Sequence, residues 1–354
     1  MLDTLGAVLA LAVPGAAYAN TVSVTVKTPG ATSGPASANS EISTHADCAV
    51  GLISGGGINQ AIGTGASVNG NHVNGTAPSS DGTSEYTGST GVVGTDVTHW
   101  LGIGGSGGQV NASFSTAPYA VCFTSNLVNH TQVVMNKIAG PSSGLSHRLV
   151  TATCPAGTAL IGGGARTTPA SVGSLKPIAS FPTFNDAQHH YGQIAADDGE
   201  RNPDSWTAVG GIGGGRGEDN MTYTYAICSG DGINLQHVAT TVRFTEVSGP
   251  NTASTGQKVT TGCTREDGQL VSGGAAISGW QRHHNRLLQG DFGRPPPQRQ
   301  LPQRRHRHPG RQRELRPGVL DGRHPQRGFA LPGQLLRRLG AVPGRATGAR
   351  SVAS

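Results

Sequence analysis

Residues 154–164 read CPAGTALIGGG, residues 205–215 read SWTAVGGIGGG, and YAIC follows at 225–228. The same grammar stands earlier in the chain, with ADCAVGLISGGG at 46–57, HWLGIGGSGG at 99–108 and YAVC at 119–122. Cys48 and Cys122 are 74 positions apart, as are Cys154 and Cys228. A Trp precedes the second Cys by 22 residues in both copies: Trp100 before Cys122 and Trp206 before Cys228. A third copy opens with TGCTREDGQLVSGGA at 261–275 and then loses the pattern. Repetition at a fixed period decides a fold before any single segment does, because each repeat is one structural unit.

Each copy has a strand-like lead-in: VSVTVKTPG at 22–30, QVVMNKIAG at 132–140 and TTVRFTEVSG at 240–249. The segments are short, rich in Val, Thr, Ile and Tyr, and often alternate, as at Val22, Val24 and Val26. Gly, Ser, Asn, Asp and Pro punctuate them, and these are turn residues. No 3.6-residue apolar period is sustained before residue 280. The expectation is an all-β chain of tandem small β-sandwich or barrel-like modules, two complete and a third truncated. Its parts are a signal peptide over 1–19, repeat 1 over 20–125, repeat 2 over 126–230, the first part of repeat 3 over 231–280, and a disordered tail over 281–354. The glycine runs do not read as phosphate loops, since neither is followed by a helix or by GK[ST]. They read as bulges or tight crossings, where the missing Cβ lets backbones approach.

Charged residues make up 13% and aromatics 5% of the 354 residues, while 55 are Gly. Such a chain buries few large side chains per module, so a covalent staple has much to add. Closing a loop of this size stabilises by about 4 kcal/mol in the chain-entropy model. The N-terminus points to an oxidising destination, with an apolar run from Leu5 to Val13 and a small-x-small cleavage site at Ala17–Ala19. Asp3 and the lack of Lys or Arg ahead of that run suggest a true start upstream. No segment has the length or character of a transmembrane helix. Secretion makes Cys48–Cys122 and Cys154–Cys228 the expected disulfides, the matched spacing selecting this pairing from three. Cys263 is left as an unpaired thiol. No CxxC or HxxxH pattern supports a metal site instead.

Composition changes abruptly after residue 280. Residues 281–354 hold sixteen Arg, no Lys and three acidic residues, against ten basic and seventeen acidic residues before them. The net charge of +6 is therefore a property of the tail, and the body is acidic. Arg, Pro, Gly and Gln without Lys is what GC-rich DNA yields in the wrong phase. With permitted codons for Gly318–His324, a reading one nucleotide forward gives ASWTAV, matching SWTAV at 205–209. The same shift over Leu339–Pro343 gives WALC, where repeat 2 has YAIC. The hidden Trp and Cys, at Leu320/Asp321 and Val342/Pro343, are again 22 apart. The expected site of the shift lies between Trp280 and about Gln289. If the tail is instead genuine, its arginines suit a nucleic acid or other polyanion.

CPAGTALIGGG with SWTAV and YAIC resembles the CPAG…GGG…YAxC disulfide repeat modules of secreted, largely uncharacterised actinobacterial proteins. The likeness covers residues 41–125, 146–230 and the start of the third copy. The CPAG form is clean only in repeat 2, with CAVG and CTREDG in the others. The resemblance implies export and a disulfide-linked β module, and supplies no activity.

Candidate chemistry is sparse. His189, His190, Asp197, Asp198 and Glu200 form the densest polar cluster, whose imidazoles and carboxylates could bind a metal or move protons. They sit in a Gly/Asp/Asn-rich stretch that reads as a solvated loop. Asp81-Gly82 and Asp197-Asp198-Gly199 resemble pieces of calcium loops, but DxDxDG is absent. Trp100 and Trp206 could stack on sugars, yet a Trp at constant distance from a disulfide Cys reads first as core. Asn74, Asn111, Asn129 and Asn220 open N-x-[ST] sequons. No SxxK or HExxH motif is present. The reading is a secreted, non-enzymatic structural or adhesive/binding protein, without cofactor or catalytic or metal-binding residues. Its partner is an extracellular ligand or cell-surface component, and the acidic body argues against nucleic acid. The alternative is a secreted carbohydrate-binding or glycan-hydrolysing protein.

Overall fold

The computed structural model describes residues 21–61, 71–108, 114–168, 175–213, 219–249 and 257–277. The leader expected over residues 1–19 and the Arg/Pro-rich tail over 281–354 lie outside the described residues. The regular structure among the described residues is almost entirely antiparallel strand, with one short 3-10 turn at Leu235–His237.

The first stretch supplies β1 (Val22–Lys27), β2 (Thr32–Ser33), β3 (Glu41–Asp47), β4 (Leu52–Ala61), β5 (Asn71–Ser79), β6 (Gly91–Thr95), β7 (His99–Ser106) and β8 (Ser115–Ser125). The second supplies β9 (Thr131–Ala139), β10 (His147–Thr153), β11 (Leu160–Thr168), β12 (Leu175–Thr183), β13 (Ser205–Ile212) and β14 (Met221–Ser229). Strand pairings in the two stretches correspond. In the first, a front layer β3–β7–β5 packs on a back layer in which β8 pairs with β4 on one side and with β1 and β2 on the other. In the second, the front layer is β10–β13–β12 and the back layer is β9–β14–β11. Residues 257–277 add only the short strand β15 (Ala275–Ala276).

The glycine runs explain how so thin a core closes. β4 and β11 each carry a bulge at their start, between Ile53 and Gly55 and between Leu160 and Gly162. Just beyond, Gly56 lies under the indole of Trp100 and Gly163 under that of Trp206. Both indoles are fully buried, so the two largest side chains of the core rest directly on bare backbone. Any Cβ at those glycines would hold the layers apart.

Disulfides then lock front to back. Cys48, following β3, is joined to Cys122 of β8, and Cys154, following β10, is joined to Cys228 of β14. The second bridge packs with Trp206, Val134 and Leu160 in one apolar cluster.

One feature crosses the boundary expected near residue 125. Front strand β5 of the first module hydrogen-bonds back strand β11 of the second at Gly75↔Arg166, making a single seven-stranded sheet in the order β3–β7–β5–β11–β14–β9–β6. β6, which the first module contributes, reaches over to pair with β9 of the second. The modules are therefore joined by shared sheet, with no flexible tether between them.

Candidate functional site

Arg166 is the most elaborate polar centre, and it sits on that shared sheet. Its guanidinium takes Glu41 in a two-pronged grip, Nη1 to Oε1 at 2.7 Å and Nη2 to Oε2 at 2.8 Å. Nε donates to Glu85 Oε2 at 2.7 Å, and Asn74 Nδ2 donates to Glu41 Oε1 at 2.6 Å. Arg166 is 4% exposed. Burial alone would weaken its charge, but the Glu41 and Glu85 carboxylates more than offset this and hold it above its ordinary value. Both glutamates belong to the first module and the arginine to the second. Gly75 makes the approach feasible: its φ is +152°, and a Cβ there would fall 2.6 Å from Arg166 Cα. The site is an inter-module clamp with its hydrogen-bonding capacity directed inward.

The second centre lies in the loop between β12 and β13. His189 Nδ1 is 2.9 Å from Asp186 Oδ1, and Nε2 is 3.1 Å from Glu200 Oε2. The ring is tilted against Phe184, with centroids 4.6 Å apart. His189 is 5% exposed, a buried side chain in a loop whose Asp186, Asp197 and Asp198 are exposed as expected of a solvated stretch. Burial pushes its pKa down, but hydrogen bonds to Asp186 and Glu200 win and raise it, favouring imidazolium. Asp186 is correspondingly lowered, chiefly by the backbone and side-chain donors of His189. With a carboxylate on each ring nitrogen, His189 has both nitrogens engaged in ordering its own loop. Asp197 contributes its backbone, donating its N–H to Glu200 Oε2 at 2.7 Å and accepting the Glu200 N–H on its carbonyl at 3.2 Å. Asp198 turns away and accepts from the Phe244 N–H at 2.9 Å.

What this loop presents is Tyr191. His190 and Tyr191 have φ of +48° and +55°, and Gly192 follows at +91°. Gly192 is required there, because a Cβ would fall 2.5 Å from Thr151 Oγ1. Two consecutive non-glycine residues in the left-handed region mark backbone held against its own preference. Tyr191 is 66% exposed. It borders an open groove between β9 and β10, lined by Asn136, Lys137, Thr151, Asn185 and Gln193 among others. Asn136 Nδ2 donates to Thr151 O at 2.8 Å, and Lys137 Nζ to Thr87 O at 2.8 Å, so the rim is pre-ordered.

Other residues of interest fall into place more simply. Trp100 and Trp206 are core, and Trp206 Nε1 donates to Ser180 Oγ at 2.9 Å. Cys263 is a partly buried thiol outside any disulfide. Asp81 accepts from the backbone and side chain of Ser84 and from Thr83, which hold it well below the usual carboxylate range and make a tight turn of this stretch. Asn129 is exposed, Asn74 and Asn220 are buried, and Asn111 lies outside the described residues. Among the described residues, no group of three or more His, Cys, Asp or Glu side chains is placed to hold a metal ion. None of their helices is long and apolar enough to cross a membrane. Sequence reasoning missed both Arg166 and Tyr191. Tyr191 carried a usable signal, an aromatic between His190 and Gly192 in a stretch otherwise made for turns. Comparison with family models, curated proteins and solved structures returned no match.

Proposed function

We propose that this is an exported, non-enzymatic binding protein of the CPAG…GGG…YAxC type, built from disulfide-linked β repeats, and that it takes a polyhydroxylated, carbohydrate-like ligand in the groove beside Tyr191. The observation that supports this is the presentation of an exposed phenol ring by left-handed backbone at the rim of a groove lined with amides, hydroxyls and an ammonium. Sugars are recognised by this combination: an aromatic face for the apolar C–H surface and planar amides for hydroxyl pairs. The two disulfides accord with an oxidising compartment. Adhesion to a glycan-bearing surface would follow from such a site.

The test is binding of Tyr191→Ala to an array of cell-wall and environmental glycans. The variant should lose at least about tenfold in affinity for whichever glycan the unaltered protein retains, with both disulfides and the melting transition unchanged. Retained affinity in a folded Tyr191→Ala variant would remove the groove from the account. Turnover of any glycan, lost on changing His189 or Asp197, would favour the hydrolytic alternative.

A further inference from the structure

Three glycine-run segments converge on one point. A Cβ at Gly162 of β11 would fall 2.5 Å from Ser272 Cβ, and one at Gly55 of β4 would fall 3.2 Å from the same atom. Gly55 pairs with Val121 and Gly162 with Ile227, so the two glycines hold the same place in their modules. Ser272 holds that place in the LVSGGA segment of residues 270–275. Ile53, Ile161 and Val271 meet in a single apolar cluster around it.

The seams repeat as well. Front strand β5 meets β11 at Gly75↔Arg166, and front strand β12 meets β15 at Ala179↔Ala276. Gly75 and Ala179 are corresponding residues, opposite Ile103 and Val209 in their sheets, each just past a bulge. The second contact repeats in the same way: Thr95↔Gln132 joins the first module to the second, and Arg201↔Thr241 joins the second to the lead-in of the third. Each module hands its front layer to the back layer of the next.

The back layer of the first module has received nothing equivalent from the described residues. At Gly164 a Cβ would meet Thr76 O at 2.8 Å and Trp100 Cζ2 at 3.0 Å, both from the preceding module. At Gly274 it would meet Ser180 O. At Gly57, the corresponding position of β4, it would meet nothing within 4 Å among the described residues. Val133 of β9, paired with Gly94 of β6, is 0% exposed, while Val26, its counterpart on β1, is 60% exposed.

We propose that the described strands are part of a closed ring of three modules, in which the outer edges of β4 and β1 are the seat for the front layer of the third. Convergence at Ser272 brings the start of the third module against β4, which closes the ring and excludes an open-ended row. The occupant is the second half of module 3 itself, encoded one nucleotide out of phase with residues 281–354. With the permitted codons given above, that phase carries a Trp and a Cys 22 apart, the spacing of the residues that anchor the front layer and the disulfide in modules 1 and 2. A strand edge left unpaired by the described residues and bordered by exposed valines is otherwise an aggregation site, which a closed ring abolishes.

The test deletes one nucleotide within codons 281–289 of the full gene and compares the product with the chain as written. Cys263 should become resistant to alkylation and map to the new Cys, and amides of β4 and β1 should exchange at least about tenfold more slowly. A restored chain with Cys48–Cys122 and Cys154–Cys228 intact, but with unchanged exchange in β4 and β1, overturns the proposal. So does protection that appears only in a dimer, which would make a second copy the occupant. Should the restored chain fail to fold, the chain as written still decides: Gly164→Val should lower its melting transition while Gly57→Val leaves it in place. Equal losses from the two would show that the β4 edge is already covered.

Discussion

Trp206 lies flat on the backbone of Gly163, so close that a β-carbon on the glycine would fall 2.5 Å from Trp206 Cδ2; Trp100 and Gly56 stand in the same relation, at 2.6 Å from Nε1. Gly163→Ala should therefore destabilise by about 1–3 kcal/mol through overpacking. Trp206→Ala should do so by about 3–5 kcal/mol through the cavity it leaves. Urea unfolding monitored by the remaining fluorescence checks both. A Gly163→Ala variant as stable as the parent would mean that the indole has room to retreat.

Arg166 neutralises two carboxylates that are themselves only 23% and 20% exposed. Arg166→Met should destabilise by about 3–5 kcal/mol, mostly by stranding Glu41 and Glu85 beside apolar sheet. Adding Glu41→Gln and Glu85→Gln to that variant should recover much of the loss. If the triple variant is no better than Arg166→Met, the clamp acts through packing and not through charge.

The Asp186–His189–Glu200 group makes loop order depend on pH. A raised His pKa stabilises fully below its unfolded value, about 6.5, and the contribution fades as pH rises through the folded value. A lowered Asp pKa contributes above its unfolded value, about 3.9, and fades as pH falls through the folded one. The loop should therefore be best ordered between about pH 4 and 6.5, and ligand binding at Tyr191 should weaken on the alkaline side. NMR titration of the His189 ring reads this directly. A midpoint at or below 6.5 would contradict the assignment.

The two disulfides close loops of equal length, with sequence separations of 74. Replacing either pair by Ala should destabilise by about 4 kcal/mol. Cys263→Ser, at a partly buried thiol, should change stability by no more than about 0.5 kcal/mol. A larger effect would show that the thiol is a packed member of the third module.

Cysteine spacing, the constant Trp and the alternating Val and Thr runs are local marks, and the disulfides, buried indoles and all-β character follow from them. The seam is different. Gly75 and Arg166 lie far apart in the chain, and their pairing depends on two edge strands presenting matching registers, which no single window records. His189 misleads for a related reason: its neighbours are turn formers, but Asp186, Glu200 and Phe184 fold over it only once β12 and β13 are paired. Tyr191 becomes visible as a site residue only when β9 and β10 form the groove beside it.

Only one of the three corresponding places at the meeting point of β4, β11 and the LVSGGA segment carries a side chain, and it is Ser272; Gly55 and Gly162 leave it the room. Descent from a single ancestral unit would thus have been under a rule that identical copies break. Three units with serine there could not coexist in one molecule, and three with glycine would leave a hollow. A consensus sequence averaged over the copies and strung together would discard the asymmetry that lets them meet.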